Sequence, residues 1–505
     1  MINFKSLYQL IKTLTRGEKR AFSLFVTKYS KENSPASVRL YEIIDTLDEY
    51  DAEDLQKKIE AHDVSKNMSV VRSQLQKMLL TSLVSQYAKS NILAQIFELI
   101  NNANLLYNRG VLDEAVISID KARNLAETYE QNELLLYIIQ LQLYMGQEYY
   151  GMQQAQTIFN EGIENIRYIL QLLENQATVQ ELGYEFYRLY LQIGIPRTKE
   201  DKAAFSKLIH SKSLQALSGK MTTKAQLDYY TIFAQYYHVF GEIEKAYQQI
   251  QKQLSIVEQK PHIKQLYPRW YITILNNFAT ISMELGYAQQ FKEALKKMEE
   301  FGKEKELMNE YLNSKLFLFL YTNKLNFNVR NENFDGFEEY VPKIEKFIQQ
   351  TDKVYHNPEQ AMRICFGVAL VYFYQKNWKE AHKWIFNFEN IYNYVEKSQL
   401  IAYIKVFDVI LHFERESETF LQLLIPKTIQ FLTKKKIYFQ IEEIILTNIQ
   451  EVINSSNRKE RLRIFKNLYD EVLMYYDKNA SINNDPYKVY IRIDQWALQK
   501  ITQFS

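Results

Sequence analysis

Apolar positions recur along this chain at helical spacing, and short polar turns separate them. In the first 90 residues, Ala21, Phe22, Leu24, Phe25 and Tyr29 define a helix face behind Thr15-Arg16-Gly17-Glu18. That tetrad is a capping box, in which the Thr15 hydroxyl accepts from the Glu18 amide and opens the helix. The helix ends in Lys31-Glu32-Asn33-Ser34-Pro35, and further helices are expected at Ala36 to Tyr50, Ala52 to Ala61 and Ser65 to Ser90. Residues 1–90 are therefore expected to form a bundle of four helices, with a helix-turn-helix-like arrangement. At the other end, residues 476–505 are expected to be a polar loop followed by a capping helix. Tyr490, Ile493, Trp496, Ala497 and Ile501 make its one apolar face, as closing an open groove requires, and Trp496 is its anchor.

Between these ends the pattern is periodic. Gly241, Gly286, Asn331 and Lys376 are equally spaced, since 286 − 241, 331 − 286 and 376 − 331 are all 45. A self-similar period of roughly 20–50 residues marks a helical repeat array in which each unit buries its apolar face against its neighbours. Around Gly110 the frame reads Ala103, Gly110, Ala115, Ile119 and Ala122. Small residues there let two helices cross closely, and a larger one fills the groove. The frame returns as Ala234, Gly241, Ala246 and Ile250, and as Ala279, Gly286, Phe291 and Leu295. It continues as Gly336 and Tyr340 after Asn331, and as Ala369, Tyr372, Ala381, Ile385 and Phe388 around Lys376. Weaker copies stand at Ala155, Phe159 and Gly162, at Ala204 and Leu208, at Phe420 and Leu424, and at Arg461, Phe465 and Leu468, giving about nine helical pairs.

This frame resembles the tetratricopeptide (TPR) repeat, with Ile119 standing where that family prefers an aromatic residue. The resemblance covers residues 91–475 and implies an all-α fold: a TPR-like α-solenoid, a right-handed superhelix of helical hairpins, behind the amino-terminal bundle. A 45-residue unit exceeds the family's usual ~34, so each helix should be about a turn and a half longer. In layout the chain is similar to degenerate bacterial TPR arrays, including TPR quorum-sensing regulators.

Composition agrees with long helices joined by short turns, because only 13 Gly and 8 Pro are spread over 505 residues. The 38 Tyr suit helix interfaces, where the ring is buried and the hydroxyl meets water. A net charge of +2 gives no whole-chain attraction to nucleic acid or to an anionic membrane. The lone cysteine, Cys365, excludes an intramolecular disulfide and sits in an apolar run as core. The amino terminus lacks the features of a signal peptide, and the longest apolar stretch, Ile364 to Tyr374, is about half the ~20 residues needed to span a bilayer. A cytoplasmic location is expected.

No phosphate loop, dinucleotide fingerprint or His-Glu-x-x-His helix occurs, and the histidines at 62, 210, 238, 262, 356, 382 and 412 show no ligand spacing. The expectation is a non-enzymatic protein with no catalytic residue, cofactor or metal. The resemblance implies a groove lined by first-helix positions shortly before each turn. These are Asp228, Thr231, Gln235 and His238; Thr273, Asn276, Thr280 and Met283; Leu318, Tyr321, Leu325 and Asn328; and Arg363, Phe366, Leu370 and Phe373. From them Thr231, Gln235, His238, Asn276, Thr280, Asn328 and Arg363 are the candidate contacts for a protein or peptide. Amide side chains both donate and accept, as an extended backbone requires, and Phe and Leu can receive its side chains. The Lys/Asn clamp that some TPR proteins use for a terminal carboxylate is replaced by Thr231 and Gln235.

The expected function is thus a protein- or peptide-binding scaffold. The competing expectation is a peptide-responsive regulator whose amino-terminal bundle binds DNA or a signalling protein. Its candidate nucleic-acid contacts are Lys66, Arg72 and Lys77, at the start of the fourth helix, although the acidic segment Asp45 to Asp54 opposes a phosphate backbone.

Overall fold

The computed structural model describes residues 3–505 except 30–35, 49, 63–66, 88–90, 194–195, 197–198, 212–213, 215–216, 218–219, 305–306, 350–357, 393–398, 416–417 and 479–484. Every regular element among the described residues is a helix. The chain divides into two compact units, Met1–Glu174 and Asn175–Ser505, and the division falls within the 42-residue helix Met152–Ile193.

The first unit opens with five described helices where the sequence predicted four: Phe4–Lys12, Arg16–Tyr29, Ala36–Thr46, Ala52–Ala61 and Met68–Tyr87. The additional one is Phe4–Lys12, too short to repeat its apolar period. The Asn3 side chain caps it by accepting from the Ser6 amide at 2.7 Å, and Leu7, Tyr8 and Ile11 are buried. The capping box is present, with Glu18 N donating to Thr15 Oγ1 at 3.2 Å and Thr15 N donating to Glu18 Oε2 at 2.5 Å. The third helix stops at Thr46 rather than Tyr50, because Asp51 is needed as the cap of the next and accepts from Glu53 and Asp54 at 2.7 and 3.1 Å. The same unit holds the hairpin Ile92–Tyr107 and Leu112–Thr128, in which Ala103, Ala115, Ile119 and Ala122 are buried as the small-residue frame requires. Asn132–Tyr149 then pairs with a helix that continues to Ile193 instead of turning back.

In the second unit successive helices pack on one another: Thr223–Val239 with Ile243–Gln259, Pro268–Glu284 with Ala288–Phe301, and Glu310–Asn331 with Phe337–Ile348 through the stacked rings of Phe317 and Phe347. Pro358–Tyr374 with Trp378–Tyr392, Gln399–Glu414 with Glu418–Lys435, and Gln440–Asn454 with Arg458–Lys478 follow. Cys365 is buried among them, and burial pushes its thiol pKa up to about 12, so it is inert core.

The turns share one closure. Gly110, Gly241 and Gly286 take φ of 74 to 75°, and Glu130, Glu332, Lys376 and Lys436 take φ of 50 to 58°. After each, the next amide donates to the carbonyl five residues back, as in Glu242 to Tyr237, Tyr287 to Ser282, Asn333 to Asn328 and Asn377 to Tyr372. This is a Schellman closure, which needs a left-handed residue. The equal spacing is therefore interrupted once. The left-handed residue of the third turn is Glu332, and Asn331 is the last residue of its helix. Two of the weaker copies bury the residue after the one expected, Phe205 instead of Ala204 and Leu421 instead of Phe420, while Phe465 and Leu468 are buried as expected. The basic run at 434–436 ends a helix as expected, with Lys436 at the turn.

After Lys478 the expected polar loop lies largely outside the described residues. Tyr487–Ile491 is a short π-helical turn, Arg492 is left-handed, and the final helix is Ile493–Phe504, so Tyr490 precedes that helix instead of lying on its face. The Arg492 guanidinium reaches back to pair with Glu332 and donates to the carbonyls of Val329 and Arg330 at 3.2 and 2.8 Å.

Candidate functional site

The first helices of successive pairs in the second unit carry a linked set of polar side chains. His238, near the end of Thr223–Val239, has Nε2 3.0 and 3.2 Å from the carboxylate oxygens of Glu284, which ends Pro268–Glu284. Arg330, near the end of Glu310–Asn331, donates from Nη2 to the Glu284 carbonyl at 3.2 Å. Its Nη1 is buried with no hydrogen-bond partner among the described residues.

Arg363 is exposed on Pro358–Tyr374 and donates to Glu359 at 2.8 Å. Its charge also acts on Tyr190 and Tyr490, so segments far apart in sequence lie within electrostatic reach of it. Burial pushes the Tyr490 phenol up to about 12, with Glu284 adding to the shift and Arg330 and Arg363 opposing it. His238, Glu284, Arg330, Arg363 and Tyr490 thus form one electrostatic group.

The other expected contacts are placed differently. Asn276 and Thr280 both meet Asn323 of the next first helix, with Asn323 Nδ2 donating to Asn276 Oδ1 at 2.9 Å and Thr280 Oγ1 donating to Asn323 Oδ1 at 3.2 Å. Thr231 donates to the Leu227 carbonyl at 2.8 Å and accepts from Gln253 at 2.5 Å, so its hydroxyl is engaged within its own pair. Gln235 is exposed. Asn328 is buried and donates to the Tyr340 hydroxyl at 2.8 Å, inside its own hairpin. Counting back from the actual left-handed residue, Glu332, gives Val329 in its place, which is buried as well. Leu318, Leu325, Phe366, Leu370 and Phe373 are likewise buried in the hydrophobic core.

Glu284, Arg330, Tyr190 and Tyr490 escaped the sequence reading. For Glu284 and Arg330 a signal existed, because His238, Glu284 and Arg330 are each separated by 46 residues, close to the repeat length. A buried cation was missed as well. Lys315 is 8% exposed, donates to Thr273 Oγ1 at 3.0 Å and has no carboxylate partner among the described residues. Burial, helped by Arg269, pushes its pKa down to about 8.

Near the carboxyl end, a cleft of about 390 Å³ lies between Tyr374, Trp378, Trp496 and Lys500. Of its three cations, Lys376, Arg492 and Lys500, the last two are already paired with Glu332 and Glu414.

The candidate nucleic-acid residues Arg72 and Lys77 lie on the helix Met68–Tyr87. Lys66 lies outside the described residues, Lys77 is exposed, and Arg72 stacks its guanidinium 4.6 Å from the Phe4 ring centre while donating to the Met68 carbonyl at 3.4 Å. Among the described residues, the group able to hold a metal ion is His382, Asp408 and His412. The missed signal was the i, i+4 spacing of Asp408 and His412, which puts both on one helix face. No helix among the described residues is long and apolar enough to cross a membrane. No protein-family model matches the chain, and no curated protein matches it.

Proposed function

We propose that the second unit is a TPR-like α-solenoid that binds an extended peptide, or a peptide-like segment of a protein, along the face carrying His238, Glu284, Arg330, Arg363 and Tyr490. The Gly110 hairpin of the first unit belongs to the same repeat type. The observation that carries the reading is the buried Nη1 of Arg330, without a hydrogen-bond partner among the described residues, whose charge acts on the Tyr490 phenol together with that of the exposed Arg363. Buried donors are ordinarily satisfied, and a carboxylate or main-chain carbonyl from a ligand would satisfy this one. His238 and Gln235 extend the polar track toward the amino-terminal pairs, and Tyr190 and Tyr490 offer rings for apolar side chains. Binding of this kind needs no catalysis, and the protein acts as a cytoplasmic scaffold or adaptor.

An array of immobilised peptides with and without acidic residues tests this. Acidic peptides should bind, and Arg330→Gln and Arg363→Gln should each weaken the best of them by roughly tenfold or more, the loss expected for one charge-assisted hydrogen bond. Gln235→Ala, at an exposed position on the same face, should weaken capture without changing helicity by circular dichroism. Equal binding by wild type and both arginine variants would move the site elsewhere.

A further inference from the structure

We propose that His382, Asp408 and His412 bind one divalent transition-metal ion of the zinc class. His382 lies on Trp378–Tyr392, and Asp408 and His412 stand one turn apart on Gln399–Glu414. One ligand atom from each lies within 4.8 Å of the other two. Two imidazoles and a carboxylate favour zinc or a neighbouring first-row metal over calcium or magnesium, which prefer all-oxygen sets.

The geometry is close to what such an ion requires. A tetrahedral ion with bonds of about 2.1 Å holds its ligand atoms about 3.4 Å apart. His412 Nε2 and Asp408 Oδ1 are 3.8 Å apart, so a small side-chain rotation closes the set. The two imidazole rings meet edge to face, with centres 4.9 Å apart.

His412 is the residue that requires an explanation. It is 8% exposed, yet neither ring nitrogen makes a hydrogen bond among the described residues. Nδ1 is buried without a partner among the described residues, and Nε2 is beyond hydrogen-bond reach of Asp408. Buried imidazoles are normally satisfied at both nitrogens, and a bound cation satisfies the one that lacks a proton. Phe420 covers the ring at 4.6 Å. The charges that oppose a cation at His412 are those of His382 and Arg415. Three protein ligands leave a fourth position for water or for a group from a ligand. The ion would also clamp two consecutive helices of the array.

The test uses the full chain without a histidine tag, stripped with chelator and titrated with zinc chloride by calorimetry. One zinc per chain is expected, and cobalt in its place should give the visible absorption of a tetrahedral site. His382→Gln and Asp408→Asn should each lower affinity at least tenfold, while His210→Gln at an exposed position should leave it unchanged. His382 is only partly buried, so its variant keeps the measurement valid where His412→Ala fails to fold. Absence of uptake, or uptake equal in wild type, His382→Gln and Asp408→Asn, overturns the proposal. Equal losses in His210→Gln would mark scattered surface histidines and overturn it as well.

Discussion

His238 Nε2 lies 3.0 and 3.2 Å from the two carboxylate oxygens of Glu284, a residue 46 positions further along the chain. The pair links consecutive first helices, and it sets a pH dependence. Burial pushes the His238 pKa down, but the charge and hydrogen bond of Glu284 outweigh that, and the net shift is upward from 6.5. The folded state therefore holds a proton that the unfolded chain releases. The stabilisation is fully present below 6.5 and is lost as pH rises through the folded-state value. Urea midpoints should fall as pH is raised from 6.5, and His238→Gln should flatten that part of the curve. An identical slope in the variant would assign the titration to another group.

The turn residues give a second prediction, and it discriminates between two registers. Lys376 and Lys436 are left-handed, with φ of 58°, a conformation that costs a residue with a Cβ about 1 kcal/mol and glycine almost nothing. Lys376→Gly and Lys436→Gly should each stabilise the chain by up to about 1 kcal/mol. Asn331 is helical, so Asn331→Gly should destabilise by roughly 0.5 kcal/mol, although the sequence spacing puts it at a turn. Chemical denaturation of the three variants decides the matter. A stabilising Asn331→Gly would restore the equal spacing and remove Glu332 from the turn.

That contrast shows where the sequence was legible. Capping and turn chemistry are local, so Thr15 and Glu18, Gly241, Gly286 and Lys376 could be identified from a few neighbouring residues. The small-residue frame also reported true burial at Ala103, Ala115 and Ala122. The displaced third turn was not legible, because Asn commonly takes the left-handed conformation and Glu332 does not advertise it. The group around Arg363 was hidden for another reason. Tyr190 and Tyr490 reach it from segments hundreds of residues apart, and no periodicity relates them. Asn323, outside the expected groove positions, proved to be what Asn276 and Thr280 bind.

Asn323 is 2% exposed and donates to Asn276 Oδ1 and to the Phe319 carbonyl, each at 2.9 Å. Asn323→Ala leaves the half-buried Asn276 Oδ1 and the Thr280 hydroxyl without this partner and should cost about 1–2 kcal/mol, the Phe319 carbonyl keeping its helical bond. Its effect should be markedly non-additive with Asn276→Ala, since the two residues share one bond. A double-mutant cycle by urea denaturation measures this, and simple additivity would dissolve the proposed link between the second and third helix pairs.

Trp496 carries the last prediction. Its ring lies edge to face with Phe413 and Phe465, at 5.8 and 5.6 Å between centres, and Nε1 donates to Glu414 Oε1 at 2.6 Å. Lys500, one turn later on the same helix, donates to Glu414 Oε2 at 2.8 Å. The closing helix therefore has an apolar hold and a polar hold on the helices beneath it, and the two can be separated. Trp496→Phe keeps a ring against Phe413 and Phe465 but loses the donor, which should cost about 1–2 kcal/mol because Lys500 still neutralises Glu414. Trp496→Ala removes both and should cost about 3–5 kcal/mol. Hydrogen exchange at Phe413 and Phe465 amides should rise in the alanine variant far more than in the phenylalanine one. Equal, small losses would mean that the final helix is held elsewhere, with the Arg492 contacts to Glu332, Val329 and Arg330 the next to remove.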